Sequence, residues 1–197
     1  MPALKSLCVF CGSSPGSDAA FAHAAQATGR LLAARGITLV YGGGSVGLMG
    51  AAADAALAAG GRVVGVIPRT LMEREVGHGA LTELHVVATM HERKALMNRL
   101  SDGFLVLPGG TGTLEEFFEV WSWAQLGIHG KPIGVLEVNG YWTGLFAFLD
   151  NAVAKGFVRP NQRELVMAGE DPQTLVDSMV AYAAPPIPKW HLLPQDT

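Results

Sequence analysis

Charge and cysteine are both scarce in this chain. Only 16% of the residues are charged and the formal balance is −3. Lys and Arg are scattered instead of clustered, so no nucleic-acid surface is expected. No apolar run is long enough to span a membrane, and the short one near the amino terminus is too brief for a signal peptide. These absences predict a cytoplasmic protein with no membrane partner. The two cysteines, Cys8 and Cys11, form a C-x-x-C pair. Redox chemistry would want that pair at a helix start, and a metal site would need two more ligands nearby. Both lie in the strand-like "LCVFC", where an offset of three puts them on opposite faces, so they are expected to be core thiols. No glycine loop is followed by G-K-[ST], which excludes a P-loop for triphosphates. His91 and Glu92 do not complete H-E-x-x-H because position 95 is Ala. Neither a metal nor a cofactor is expected.

Apolar residues and glycine are plentiful: 49% of the chain is apolar and there are 25 glycines among 197 residues. That length suits one domain with a full core. Strand-like runs alternate with helical patterns: "LCVFCG", then 18–35; "ITLVYGG", then 46–60; "RVVGVIP"; "ELHVVAT", then 90–101; "GFLVLPGG", then 113–127; "KPIGVLEV", then 141–155. A last helix is expected over 171–183. The alternation predicts an α/β, doubly wound, mainly parallel sheet with helices on both faces, Rossmann-like. The strands are continuously apolar, as strands covered on both sides are. The domain is expected to cover 1–184, leaving a Pro-rich tail at 185–197.

Ligands of such sheets bind beyond the carboxyl ends of the strands. Three glycine-bearing segments should meet there: "CGSSPGS" (11–17), "YGGGSVGLMG" (41–50) and "PGGTGT" (108–113). The middle one holds a formal G-x-G-x-x-G at Gly42, Gly44 and Gly47. A dinucleotide site would also place an acid at the end of the next strand, but that strand ends in Ile67 and Pro68. NAD is therefore not expected. In "PGGTGTLEE" the glycines let backbone N–H groups converge on an anion, and Thr111 and Thr113 add hydroxyls at the positive end of a helix. Two glutamates beside an anion site need an explanation. Thr113 and Glu116 have capping-box spacing, which would account for Glu116 alone. The upstream "TMHERK" offers the cations an anion site would need: Thr89 and Glu92 have the same spacing, putting Arg93 and Lys94 near a helix start at the same rim. A solvated surface pair is the plainer account of those two.

"PGGTGTLEE", together with "MHERK", "YGGGSVGLMG" and "CGSS", resembles the LOG ("Lonely guy") family of cytokinin riboside 5′-monophosphate phosphoribohydrolases. Some of its members carry a lysine decarboxylase label. The resemblance runs from about residue 5 to 183, and P-G-G-x-G-T-x-x-E is matched at Pro108, Gly109, Gly110, Gly112, Thr113 and Glu116. It implies a catalytic pair, Arg93 and Glu116. It also implies substrate contacts from Glu75, Lys94, Gly110, Thr111, Gly112, Thr113, Leu114, Glu115 and Ser122. Ser13, Gly43 and Gly44, in the other two glycine segments, are further candidates for phosphate or ribose contacts. No lysine has a setting that suggests a Schiff base with pyridoxal phosphate.

The implied reaction is hydrolysis of the N-glycosidic bond of a nucleoside 5′-monophosphate, through a transition state with positive charge on the ribose. The glycine loop would hold the phosphate, and Glu116 would face the sugar. Glu115, about 100° further round the helix, fits better as a residue that stabilises the helix dipole. Two alternatives stay open: a broader nucleosidase for AMP or other monophosphates, and a nucleotide carrier without chemistry. The 113–127 helix is apolar around most of its circumference, which predicts burial on two sides and a homodimer, with extra burial under the C-terminal segment as the alternative.

Overall fold

The computed structural model describes residues 4–72 and 77–185. Seven strands form one sheet: β1 (Ser6–Phe10), β2 (Thr38–Tyr41), β3 (Val63–Pro68), β4 (Glu83–Val87), β5 (Gly103–Val106), β6 (Ile133–Leu136) and β7 (Val166–Gly169). Their order is β4-β3-β2-β1-β5-β6-β7 and every pairing is parallel. The order runs one way from β1 to β4 and the other way from β5 to β7, so the topological switch point lies between β1 and β5. That crevice is where such sheets bind ligands.

Long helices alternate with the strands: α1 (Ala19–Ala34), α2 (Gly47–Ala58), α4 (Met90–Leu100), α5 (Thr111–Gln125), α6 (Thr143–Ala154) and α8 (Pro172–Ala181). Two single-turn helices, α3 (Arg69–Met72) and α7 (Pro160–Arg163), complete the set. Side-chain parity along the strands sorts the core into two halves. Leu7, Val9 and Cys11, with Leu39, Tyr41 and Leu105, lie under α1, α2 and α8. Cys8 and Phe10, with Val40, Val66, Phe104 and Val135, lie under α4, α5 and α6. The cysteines are free, buried and on opposite faces, as their spacing requires. Burial pushes both thiols up, and the charge of Glu116 pushes them further. On the first face α1 and α2 approach closely at Gly29, where a Cβ would lie 2.2 Å from the Ala52 carbonyl oxygen.

The doubly wound fold follows the sequence pattern; the single-turn helices α3 and α7 were not expected, and three further departures stand out. β7 was not expected: its four residues are too few to show a period, and as an edge strand it pairs only with β6. α6 begins at Thr143 instead of 141, because Glu137 accepts hydrogen bonds from the Val138 and Trp142 N–H groups and holds the intervening turn. α5 begins two residues before the expected 113, which matters for the site. The expected tail lies outside the described residues from position 186 onward.

Candidate active site

The β5–α5 connection is the centre of the rim. Gly110 is the N-cap of α5, in extended conformation and without a side-chain cap. The first-turn N–H groups of Thr111, Gly112 and Thr113 are therefore donors at the positive end of a fifteen-residue helix, an arrangement suited to an anion. A Cβ at Gly110 or Gly112 would meet nothing within 4 Å, whereas one at Gly109 would lie 2.1 Å from Thr113 Oγ1. Thr113 is buried inside the first turn. With the helix starting at Thr111, Thr113 is not a cap, so the Thr113–Glu116 capping box does not form. The glycine at the cap position moved the start, and Glu116 becomes the sixth residue of the helix, part-buried at the rim.

The other box forms only in half: the cap hydrogen bond is present, but the Glu92 carboxylate reaches the N–H one residue before the cap. Thr89 caps α4 by accepting from the Glu92 N–H at 3.1 Å, and Glu92 in turn accepts from the Ala88 N–H at 2.8 Å. This sets Arg93 and Lys94 on different faces of the first turn. Arg93 is only 6% exposed, so the solvated-surface account fails for it. Its Nε donates to the Val66 carbonyl and its Nη2 to the Gly42 carbonyl, both at 3.1 Å. The guanidinium is thus pinned to the carboxyl ends of β3 and β2. A Cβ at Gly42 would sit 1.9 Å from Nη2, so the first glycine of the formal dinucleotide motif makes room for an arginine.

Arg93 and Glu116 line one cavity of about 190 Å³ together with Ser13, Gly110, Thr111, Gly112 and Thr113. Of the expected contacts, those are the ones the fold brings together. Cys11, Gly12 and Met49 complete the lining and had not been singled out. Gly12 and Met49 stand in the "CGSS" and "GLMG" segments already assigned to the rim, so their places could have been inferred from the motif positions.

The remaining candidates go elsewhere. Lys94 bonds Glu115, and Glu119 Oε1 at 2.9 Å, on the flank between α4 and α5. Burial works against its charge, but the hydrogen bonds and charges of the two glutamates outweigh that and raise its pKa above the ordinary lysine value. Lys94 and Glu115 are outside the cavity lining because they satisfy each other. Leu114 packs on the core beneath α5, and Ser122 lies on the exposed side of that helix. Gly43 and Gly44 are buried by protein: Gly43 has φ +79° and accepts the His78 N–H, and Gly44 bridges to Gly77. Glu75 lies outside the described residues. A second cavity of about 230 Å³ shares Gly12, Ser13 and Gly110 with the first and is walled by Phe21, Leu48 and Tyr141.

A parallel doubly wound sheet with an anion-suited helix start, a buried arginine and a carboxylate at its switch point defines a nucleotide-type α/β site. The chain belongs to the LOG family: the family model described as "Possible lysine decarboxylase" matches residues 49–179, and the relatives are identical to it at about half the aligned positions. A cytokinin riboside 5′-monophosphate phosphoribohydrolase of Arabidopsis thaliana is 51% identical over 178 residues, covering 90% of this chain and 78% of that protein. Another from the same plant is 49% identical over 179 residues, covering 91% and 83%. Among solved structures, the molybdenum cofactor carrier protein of Chlamydomonas reinhardtii superposes with a TM-score of 0.66 at 21% identity, covering 91% of this chain and 99% of that one. At that identity the likeness speaks for the fold alone.

Proposed function

We propose that this protein is a hydrolase that cleaves the N-glycosidic bond of cytokinin riboside 5′-monophosphates, giving the free base and ribose 5-phosphate. One observation carries the residue-level reading: Arg93 and Glu116 share a cavity with the first-turn amides of α5. The phosphate sits on the amides of residues 110–113 and places the ribose against Glu116. The bond between C1′ and the base nitrogen breaks, positive charge grows on the ring, and the Glu116 carboxylate stabilises it. Glu116 also takes a proton from the water that attacks C1′, and the leaving base ends up protonated. Arg93, held by two carbonyls, offsets the carboxylate's charge and faces the ribose. The four described lysines are Lys5, Lys94, Lys131 and Lys155, and none lines the cavity. No described lysine is placed to form a Schiff base with pyridoxal phosphate in that cavity, and the reading adopted is the hydrolase.

The test compares base release from a cytokinin riboside, its 5′-monophosphate, AMP and ATP. The monophosphate should exceed the riboside by about 10² to 10⁴ in kcat/KM, since two or more charge-assisted hydrogen bonds go with the phosphate. Equal cleavage would end the assignment. AMP cleaved as well as the cytokinin nucleotide would point to the broader nucleosidase, and binding without cleavage to a carrier.

The assembly proposed is a homodimer in the cytoplasm. Phe118 and Trp123 remain half-buried on α5, and Leu126 and Ile128 beyond it are 53% and 61% exposed. Light scattering should give about twice the 20.7 kDa chain mass; a monomer would refute it.

A further inference from the structure

The loop between β6 and α6 is held more tightly than a connector needs to be. Asn139 adopts a left-handed backbone, φ +52°, the one described non-glycine residue to do so. Its side-chain amide donates to Asp18 Oδ2 at 2.8 Å, tying the turn to the start of α1. Glu137 fixes the other side of the same turn through the Val138 and Trp142 N–H groups. A strained, doubly anchored turn is a reason to ask what it presents.

It presents Tyr141. The ring stands edge-on to Phe21 with centroids 5.5 Å apart, and its hydroxyl donates to the Gly109 carbonyl at 2.5 Å. Gly109 belongs to the glycine loop, and the peptide joining it to Gly110 is trans. In a trans peptide the C=O and the following N–H point to opposite sides. Tyr141 and Gly109 line the second cavity, whereas Gly110 lines both. A carbonyl held on the Tyr141 side therefore turns the Gly110 N–H towards the cavity that contains Arg93 and Glu116. The same hydrogen bond polarises the peptide and strengthens that N–H as a donor.

We propose that Tyr141 is a positioning residue for the phosphate site: its hydroxyl sets the orientation of the 109–110 peptide and so aims the Gly110 N–H at the 5′-phosphate. This inference rests on the reading of residues 110–113 as the phosphate site. It concerns phosphate recognition and leaves bond cleavage to Arg93 and Glu116.

Tyr141→Phe removes the hydroxyl and keeps the ring against Phe21. Tyr141 is 42% exposed, so the variant should fold. Calorimetry with ribose 5-phosphate should show about tenfold weaker binding than in the wild type, the scale of one hydrogen bond. Cleavage of the monophosphate should lose the same factor in kcat/KM while cleavage of the riboside is unchanged, so the preference between them narrows about tenfold. A purely structural role would lower both substrates together or neither. Equal ribose 5-phosphate affinity in wild type and Tyr141→Phe, or an unchanged preference, overturns the proposal. If the wild type itself binds no ribose 5-phosphate, the phosphate-site reading fails first. Tyr141→Leu, which also removes the ring, should match Tyr141→Phe in the preference ratio if the hydroxyl is what matters; a larger change in that ratio would assign the role to the ring instead.

Discussion

The two glycine segments that follow β2 and β5 look alike as sequence and serve opposite ends. In "YGGGSVGLMG" the missing side chains make room for protein. A Cβ would lie 1.9 Å from Arg93 at Gly42, 2.3 Å from the Ser13 backbone at Gly47 and 2.1 Å from the Ser45 carbonyl at Gly50. In "PGGTGT" only Gly109 is filled in this way, and a Cβ at Gly110 or Gly112 would stand in open space. The first segment therefore positions the Arg93 side chain, and the second leaves open space at the start of α5. A glycine pattern read without its neighbours cannot separate these uses: the G-x-G-x-x-G of the first segment has the form of a dinucleotide motif, while its first glycine lies against Arg93.

The largest effect should come from the residues on which both loops converge. Glu116→Gln should preserve folding and ligand binding and lose about two to four powers of ten in turnover. Arg93→Ala should also depress turnover. An unchanged rate in either would remove the reason for the first loop to be shaped around Arg93.

Gly42→Ala isolates that shaping. The atom it meets is the end of a flexible side chain, so the fold should survive while the guanidinium is pushed off the Gly42 and Val66 carbonyls. Misplacement of a catalytic group by about 1 Å costs on the order of a hundredfold. The variant should keep the wild-type melting temperature within a few degrees and lose about 10² in kcat. Loss of folding with no folded, slow enzyme would mean that the first segment serves packing alone.

Gly112→Ala probes the other loop. Alanine suits the first turn of a helix, so stability should rise by about 0.5 kcal/mol. The added methyl projects into open space at the proposed phosphate site, so KM for the monophosphate should rise about tenfold, the scale of one lost hydrogen bond. Stability and activity moving in opposite directions would mark a ligand-facing glycine. If neither moves, that open space holds no ligand.

Much of this was legible in the chain. Alternating apolar runs disclose the parallel sheet, and the capping spacing of Thr89 and Glu92 discloses where Arg93 lies along α4. The purpose of Gly42 was not legible, since it depends on a contact 51 residues away. The same holds for Tyr141, whose partner Gly109 is 32 residues upstream and which carries no motif. The pairing of Lys94 with Glu115 was hidden for a related reason, since it joins two residues 21 positions apart on α4 and α5. Local spacing reports local partners, and the contacts it leaves out are those that the sheet order supplies.

A third kind of glycine closes the comparison with the smallest expected effect. Gly60 follows α2 with φ +77°, and a Cβ there would meet nothing within 4 Å. Its N–H donates to the Leu57 carbonyl and the Gly61 N–H to the Ala56 carbonyl, the paired bonds of a Schellman ending. Space is free here, as at Gly112, but the backbone conformation is one that L side chains rarely adopt. Gly60→Ala should therefore cost about 1 kcal/mol in stability, read as a lower urea midpoint at an unchanged slope. Base release should stay at the wild-type rate, because α2 ends beside the start of β3, at the end of the strands opposite the rim. Gly60→Asn should cost less, since asparagine tolerates the left-handed region better than alanine. Should Gly60→Ala slow the reaction as Gly42→Ala is expected to, a glycine's effect on catalysis would follow from stability alone. The separation of packing, ligand-facing and turn glycines would then have no functional content.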